Sequence, residues 1–347
     1  MWQSGENEIT HNRVHHTPYN GFSIGGVEPG LFSKGWRRST SRELNRVINY
    51  SKLPFEEMQG SNDEDVTYTM IFPYVFTRDN LFEHNELYRN MEVLGDGNPF
   101  YIRMAAPGNR ILRNYFHDVY GGHSAGAMRF DAQQSGTSFE ENVIYRCSGA
   151  GVAFGNGNRI INNIMVDILG NVQIAQGGKA NELNKGADIE TTAGNFLCLG
   201  GTPQPSIGIP DYDQSEIRNN VLVQNVGTFA PPYKDTSAWP KWQKFFYKIT
   251  GTDSNLMWSV RNESGLKKWL TGVQATGIDK NSRVADPMFM DAANQDFRFT
   301  PESPALKMGI KSVDRREAGL TAEFPAWLAG RVAQDAEMAL KIGALNW

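Results

Sequence analysis

GNRILRNYFH (108–117), TSFEENVIYR (137–146) and GNRIINNIMV (157–166) carry one pattern at successive places in the chain. Laid over one another, they put Asn114, Asn142 and Asn163 at one position, and Phe116, Ile144 and Met165 two residues later. Working outward, DNLFEHNELY (79–88), ENEITHNRVH (6–15) and SEIRNNVLVQ (215–224) add Asn85, Asn12 and Asn220, with Leu87, Val14 and Leu222. Successive Asn residues lie 73, 29, 28, 21 and 57 positions apart. The three short spacings fit one repeat each, and the long ones fit repeats that carry insertions.

A single repeat of this kind cannot bury its apolar face, but stacked repeats can, so the repetition is itself the folding argument. A buried Asn is costly unless its amide is hydrogen-bonded. Stacked Asn side chains satisfy one another and the turn backbone. The expected fold is therefore all-β, a right-handed parallel β-helix with inserted loops and a C-terminal helical or irregular tail. A doubly wound α/β domain would need amphipathic helices of ten or more residues between strands, and none is visible between positions 79 and 176.

The whole of 1–347 reads as one domain, which is an ordinary length for a single repeat array. Residues 27–78 interrupt the repeat as an insertion. Residues 227–280, with APPYKDTSAWPKWQKFFYKI and SGLKKWLTGV, read as an aromatic-rich loop and short helix. ADPMFMDAANQDFRFTPESPAL is strand-like, and 321–342 is expected to be a C-terminal helix. The start, MWQSGENEIT, lacks the basic segment and apolar core of a signal peptide. The first repeat begins so near it that its raw edge needs a cap from later in the chain or marks an internal start, and it leaves room for association into an oligomer.

Hydrophobic residues make up 40% and charged residues 21%, which excludes a disordered chain. A net charge of −4 gives no electrostatic case for nucleic acid or an anionic membrane. No apolar run approaches the ~18 residues of a membrane span. Cys147 and Cys198 can pair only once, so disulfides are not the framework, and Cys147 reads as a core thiol.

A second strand per repeat aligns Phe22–Gly25, Phe100–Arg103, Met128–Asp131 and Val152–Gly155. In that register Ser23, Tyr101, Arg129 and Ala153 share one outward column, and Gly25, Arg103, Asp131 and Gly155 share the next. Arg103 is expected one repeat from Asp131, and a neighbouring guanidinium favours an ionised carboxylate suited to act as base or nucleophile. Three residues after the repeated Asn stand His15, Tyr88, His117 and Tyr145. One further on stand His16, Arg89, Asp118 and Arg146. Asp96 lies in the turn that feeds Phe100–Arg103 and is a candidate partner for Asp131, since glycoside hydrolysis needs two carboxylates flanking one bond. Asp188 and Glu190 in GADIETT are later candidates. Trp239, Trp242, Phe245 and Tyr247 offer rings on which sugars can stack. The His residues are not at helical ligand spacing, so no metal or cofactor is assigned. Calcium held by carboxylates would fit as well as zinc if an ion binds.

The run 79–167, with DGNPFYI (96–102), NYFHDVYGG (114–122), MRFDAQQSG (128–136) and NNIMVD (162–167), resembles the right-handed parallel β-helix carbohydrate-active proteins. It looks closest to their glycoside hydrolase branch of fucosidase- and xylanase-type enzymes. PYNGFSIGG (18–26) and DPMFMDAANQDFRFTPESPALKMG (286–309) are similar too. The resemblance implies a sugar-facing site around Asp96, His117 and Asp131. Two positions depart from the pattern: Ala132 stands where a second Asp is usual, and Asn98–Pro99 replaces a small pair.

The expected function is a glycoside hydrolase acting on a polysaccharide or oligosaccharide, with an anionic one included. Asp96 and His117 would supply the acid, and Asp131 the base or nucleophile. Tyr101, Arg103, Arg129, Asp118, His16, Glu190 and Trp239 would contact substrate. A polysaccharide lyase on the same fold is the alternative, although no Lys occurs between Lys52 and Lys179 to act as base. A non-catalytic carbohydrate-binding protein is a third reading, which Ala132 would suit. A polysaccharide-degrading role implies a secreted or periplasmic location.

Overall fold

The structure, a computed structural model, describes residues 1, 3–26, 74–94, 97–120, 126–131, 134, 136–154, 157–169, 195–199, 215–226 and 250–325. It is mostly β, built on three long sheets whose strands all run parallel. The first repeat supplies β1 (Glu8–Thr10), β2 (Arg13–His15) and β3 (Phe22–Gly25), one to each sheet. The second supplies β4 (Leu81–Glu83), β5 (Glu86–Tyr88) and β6 (Phe100–Arg103). Then come β7 (Arg110–Leu112), β8 (Tyr115–Val119) and β9 (Gly126–Asp131), and β10 (Ser138–Glu140), β11 (Val143–Cys147) and β12 (Ala150–Phe154). β13 (Arg159–Ile161), β14 (Ile164–Val166) and β15 (Asn195–Leu199) follow. Later repeats add β16 (Ser215–Arg218) and β17 (Val221–Gln224), then β18 (Thr250–Asp253) and β19 (Leu256–Ser259), and last β20 (Arg283–Val284). Within each sheet, neighbours are always consecutive repeats.

The corner between the first and second sheets is two residues long. Its first residue is left-handed in every repeat: His11, His84, Arg113, Glu141, Asn162, Asn219 and Ser254 have φ between 52° and 58°. That conformation costs a non-glycine residue roughly 1–2 kcal/mol. Its second residue is the repeated Asn, which offsets the cost. The backbone N–H and Nδ2 of Asn114 both donate to Oδ1 of Asn142, at 2.9 and 3.0 Å. Asn142 does the same to Asn163, Asn163 to Asn220, and Asn220 to Asn255. The other Nδ2 hydrogen goes to a strand carbonyl, as from Asn142 to Ile111 O at 2.9 Å. All the amides point the same way, so their dipoles add. The donor end meets Asp279, whose Oδ1 accepts from Asn255 Nδ2 and Ser282 Oγ.

A second ladder stands five residues earlier, where Asn7, Asn80 and Asn109 repeat the arrangement and Asn158 accepts from Thr137 N. At this corner Gly108 has φ +95°, and a Cβ there would lie 2.0 Å from Asp79 Oδ1, so any side chain would have to displace that carboxylate.

The inward columns follow the repeat. Phe82, Ile111, Phe139, Ile160 and Ile217 line the first sheet, and Leu87, Phe116, Ile144, Met165, Leu222 and Met257 the second. In the third sheet Phe22 pairs with Phe100, Phe100 with Met128, and Met128 with Val152, the register expected from the sequence. Cys147 is a free, buried thiol in this core, and burial pushes its pKa up.

Part of 227–280 does not fit its reading as an insertion. β18 and β19 fall inside it, and Asn255 extends the ladder by one repeat. The repeat is masked in sequence because its inward residue in the first sheet is Thr252, not an apolar one. The short helix expected there is present as α1 (Glu263–Gln274), which buries Leu266, Leu270 and Val273 and packs on β19 and β20. The 27–78 insertion is outside the described residues up to position 73, and the 321–342 helix is outside them beyond position 325.

The outer face of the second sheet is apolar too, and the tail covers it. β21 (Phe289–Asp291) and β22 (Asp296–Phe299) form an antiparallel hairpin, followed by the short α2 (Pro304–Lys307). Phe297, Phe299, Ala305, Ile310 and Val313 pack on Tyr115, Val143, Ile164, Val166, Val221, Val223 and Leu256. Each such large side chain contributes about 1.5–3 kcal/mol when fully buried. Polar tethers fix the path. Asn162 exchanges hydrogen bonds with the Lys311 backbone at 2.6 and 3.0 Å, and Gly319 N donates to His84 O at 2.8 Å. The tail thus runs back along the sheet, from Met257 to His84.

Asn142→Ala should destabilise the protein by roughly 2–4 kcal/mol, because it strands the buried donors of Asn114. Asn12→Ala, at the exposed end, should cost under about 1 kcal/mol. Urea unfolding of both variants checks the ranking. Equal costs would mean that the ladder does not carry the corners.

Candidate functional site

Of the three outer faces, that of the second sheet is covered by the tail from Tyr115 onward. That of the first sheet carries ion pairs such as Arg159 with Glu140 and with Glu216, at 3.3 and 3.4 Å. The third sheet presents the densest of the expected functional groups. β6 and β9 place Tyr101 beside Arg129 and Arg103 beside Asp131. Strand alternation turns all four outward, while Phe100, Ile102, Met128 and Phe130 between them are fully buried.

Asp131 is diagonal to Tyr101 across the two strands, close enough for Tyr101 Oη to donate to its Oδ2. Its Oδ1 accepts from Arg129 Nη2 at 3.3 Å. The Arg129 guanidinium also lies 5.7 Å from the centre of the Tyr101 ring, within cation–π range. Burial, then the hydrogen bond to Asp131, hold the Tyr101 phenol well above its ordinary pKa, so it remains a donor. The Asp131 and Arg129 side chains keep 18% and 21% of their surface open, enough for a ligand to reach them. Arg103 is exposed.

His117 and Asp118 do not join this group. They stand on β8 in the second sheet, whereas Asp131 ends β9 in the third. Aligned repeats put the two in neighbouring strands of one turn of the chain. Those two strands belong to different sheets, so the side chains leave from different faces. His117 is instead the centre of a second network. Its Nδ1 is 2.9 Å from Asp118 Oδ2 and its Nε2 is 3.3 Å from Glu86 Oε1. Carboxylates at both nitrogens favour the doubly protonated ring, in which both nitrogens donate. Burial pushes its pKa down, but the bonds to Asp118 and Glu86 outweigh this, and the net shift is upward. Burial raises Glu86 and Asp118, and their bonds to His117 reverse it, with Arg13 helping at Glu86 and Tyr120 at Asp118. Tyr88 and Tyr115 stack on the His117 ring at 4.8 and 4.2 Å.

His16 sits at a left-handed corner two repeats from Asp118, with Nδ1 2.6 Å from that of His15. Burial, then the charge of Arg89, lowers its pKa. Asp96, Glu190 and Trp239 lie outside the described residues. Glu86 and Tyr120 are not among the residues that the sequence points to. Glu86 was detectable, since NELYR aligns it with Tyr115 and so diagonally to His117. Among the described residues, no three His, Cys, Asp or Glu side chains converge as metal ligands. No helix among them is long and apolar enough to cross a membrane.

No family model, curated protein or solved structure matches the chain.

The raised pKa of His117 makes a signed prediction. Its contribution to stability is fully present below the ordinary value of 6.5 and is lost as pH rises through the folded value. Wild type should therefore lose stability relative to His117→Gln, which has no ring to titrate, as pH rises above 6.5. Parallel stability curves for the two proteins would show that the ring is not charged.

Proposed function

We propose that the chain is a right-handed parallel β-helix of the carbohydrate-active kind. In this reading it is a glycoside hydrolase acting on a polysaccharide or oligosaccharide at the outer face of the third sheet. The winding is supported by the order of the strands: each of the first five repeats visits the three sheets in the same sequence, and sheet neighbours are one repeat apart. The function is supported above all by the outward group of Tyr101, Arg129 and Asp131, with Arg103 alongside. It draws too on the sequence resemblance.

Both Asp131 oxygens accept hydrogen bonds from groups that carry protons, a setting that suits a carboxylate acting as base or nucleophile rather than as acid. In hydrolysis it would take a proton from the attacking water or attack the anomeric carbon itself. The acid that protonates the leaving oxygen is assigned to Asp96, four residues before Phe100 in sequence. His117 is not retained as the acid, because both its nitrogens are engaged by carboxylates on another sheet. A secreted or periplasmic location belongs to the same reading.

One observation favours a second reading, a polysaccharide lyase. Among the described residues the face brings one carboxylate together with two guanidiniums and a phenol. Elimination needs a base for the C5 proton and positive charge to neutralise a uronate.

Asp131→Asn should lower kcat by about 10²–10⁴-fold while substrate still binds. Product masses after incubation with plant and marine cell-wall glycans identify hydrolysis, and ultraviolet absorbance from an unsaturated sugar identifies elimination. Turnover in Asp131→Asn within twofold of wild type would dismiss the site. Binding without turnover in either protein would make the chain a carbohydrate-binding protein.

A further inference from the structure

Tyr101, which the sequence places against substrate, turns its hydroxyl onto the carboxylate of Asp131 instead. We infer that Tyr101 is a positioning residue for Asp131: its phenol fixes the carboxylate's orientation across two strands and holds it in the ionised form. The inference rests on the reading of the third sheet as the glycan site.

In the register of the third sheet, Tyr101 stands opposite Arg129, and Arg103 opposite Asp131. Tyr101 and Asp131 are therefore diagonal, a separation that only a long side chain spans. The Tyr101 ring covers it, and its Oη donates to Oδ2 of Asp131. Both ends of this contact are anchored. Phe100 and Ile102 flank Tyr101 in β6, Phe130 precedes Asp131 in β9, and all three are fully buried. Neither strand can turn about its axis without lifting those side chains out of a close-packed core. The bond thus sets the plane of the carboxylate relative to the sheet. Arg129 holds the other oxygen less firmly. Its Nη2 is 3.3 Å from Oδ1, longer than the usual N–H···O bond of about 2.9–3.0 Å.

The charges agree with this role. Among the described residues, the ionisable groups that face Asp131 are Tyr101 and Arg103 on β6 and Arg129 on its own strand. On the other side of β9, β12 sets Ala153 opposite Arg129. Burial, then the bond to Asp131, keep the Tyr101 phenol protonated and outweigh the opposite pull of Arg103 and Arg129. The Arg129 guanidinium, 5.7 Å from the centre of the ring, polarises the phenol without ionising it. A donor that keeps its proton at every working pH favours the charged form of the carboxylate it serves. A base or nucleophile must be ionised to act, so Tyr101 extends the range of Asp131 toward acid.

The test compares full-length wild type with Tyr101→Phe, Tyr101→Leu and Asp131→Asn. Carbon-13 NMR of the side-chain carboxyls follows the titration of Asp131 with no substrate present, its resonance identified by its loss in Asp131→Asn. Tyr101→Phe keeps the ring and removes only the hydroxyl, and it should raise that midpoint by roughly one pH unit. Initial rates on soluble xylan, polygalacturonate and agarose, read as reducing ends, supply the second measurement. On a polymer that wild type cleaves, Tyr101→Phe should lower kcat about tenfold or more, leave KM within about twofold and move the acid limb of kcat/KM upward. Tyr101→Leu should add little to this, since the hydroxyl is already gone. An unchanged midpoint in Tyr101→Phe overturns the inference. So does a raised KM with kcat unchanged, or a loss confined to Tyr101→Leu, either of which makes the ring a substrate contact. A shifted midpoint with full turnover in Asp131→Asn leaves Tyr101 as the holder of Asp131 and removes the hydrolase reading. An unshifted midpoint with turnover abolished in Asp131→Asn does the reverse. If none of the three polymers is cleaved, the carboxyl midpoint alone decides.

Discussion

The amide of one repeated asparagine, handed on from repeat to repeat, is the contact that the remainder of the structure depends on. Every corner between the first two sheets is a left-handed residue followed by that Asn. Left-handed residues such as Arg113 and Glu141 are unfavourable by themselves. They persist because the next residue's backbone N–H and side chain are both bonded to the neighbouring repeat. The same bonds set the phase of the strands. Once Asn114 is stacked on Asn142, Phe116 must face inward beside Ile144, and His117 must face outward beside Tyr145.

With the phase fixed, each outer face has its own fate. The first sheet is laced with ion pairs, which at exposed positions contribute little to stability. The second sheet is apolar outside as well as inside, so the chain returns over it, and the tail becomes part of the fold. Near the end of that tail, the ring of His117 bridges Glu86 and Asp118 across two repeats. The third sheet keeps Tyr101, Arg129 and Asp131 outward in mutual contact, with Arg103 beside Asp131 on the next strand. The candidate site therefore lies there and not at His117, whose two nitrogens are both taken up by carboxylates.

The ladder residues from Asn12 to Asn220, the inward columns and the registers of the third sheet were legible in the sequence, because each follows from two local rules. Strand side chains alternate with period two, and a buried amide needs a partner. Asn255 was not seen, since Thr252 hides the apolar half of its repeat. The second ladder was also passed over, although Asn80 and Asn109 stand five residues before Asn85 and Asn114 throughout. Both apolar faces of the second sheet are written in NVIYR, NIMVD and NVLVQ. Only the tail explains why an outward column there is apolar.

By itself, then, the sequence determined the repeat, the polar spine, the side of the strand on which each side chain stands, and the pairing of Arg103 with Asp131. Tertiary structure alone decided that His117 and Asp131 leave from different sheets and that the tail occupies the outer face of the second. The division has a physical cause. Phase within a strand is set by residues one or two apart and survives any bending of the chain. The direction in which a whole sheet faces, and what comes to rest on it, depends on corner angles and on contacts between residues as remote as Asn162 and Lys311.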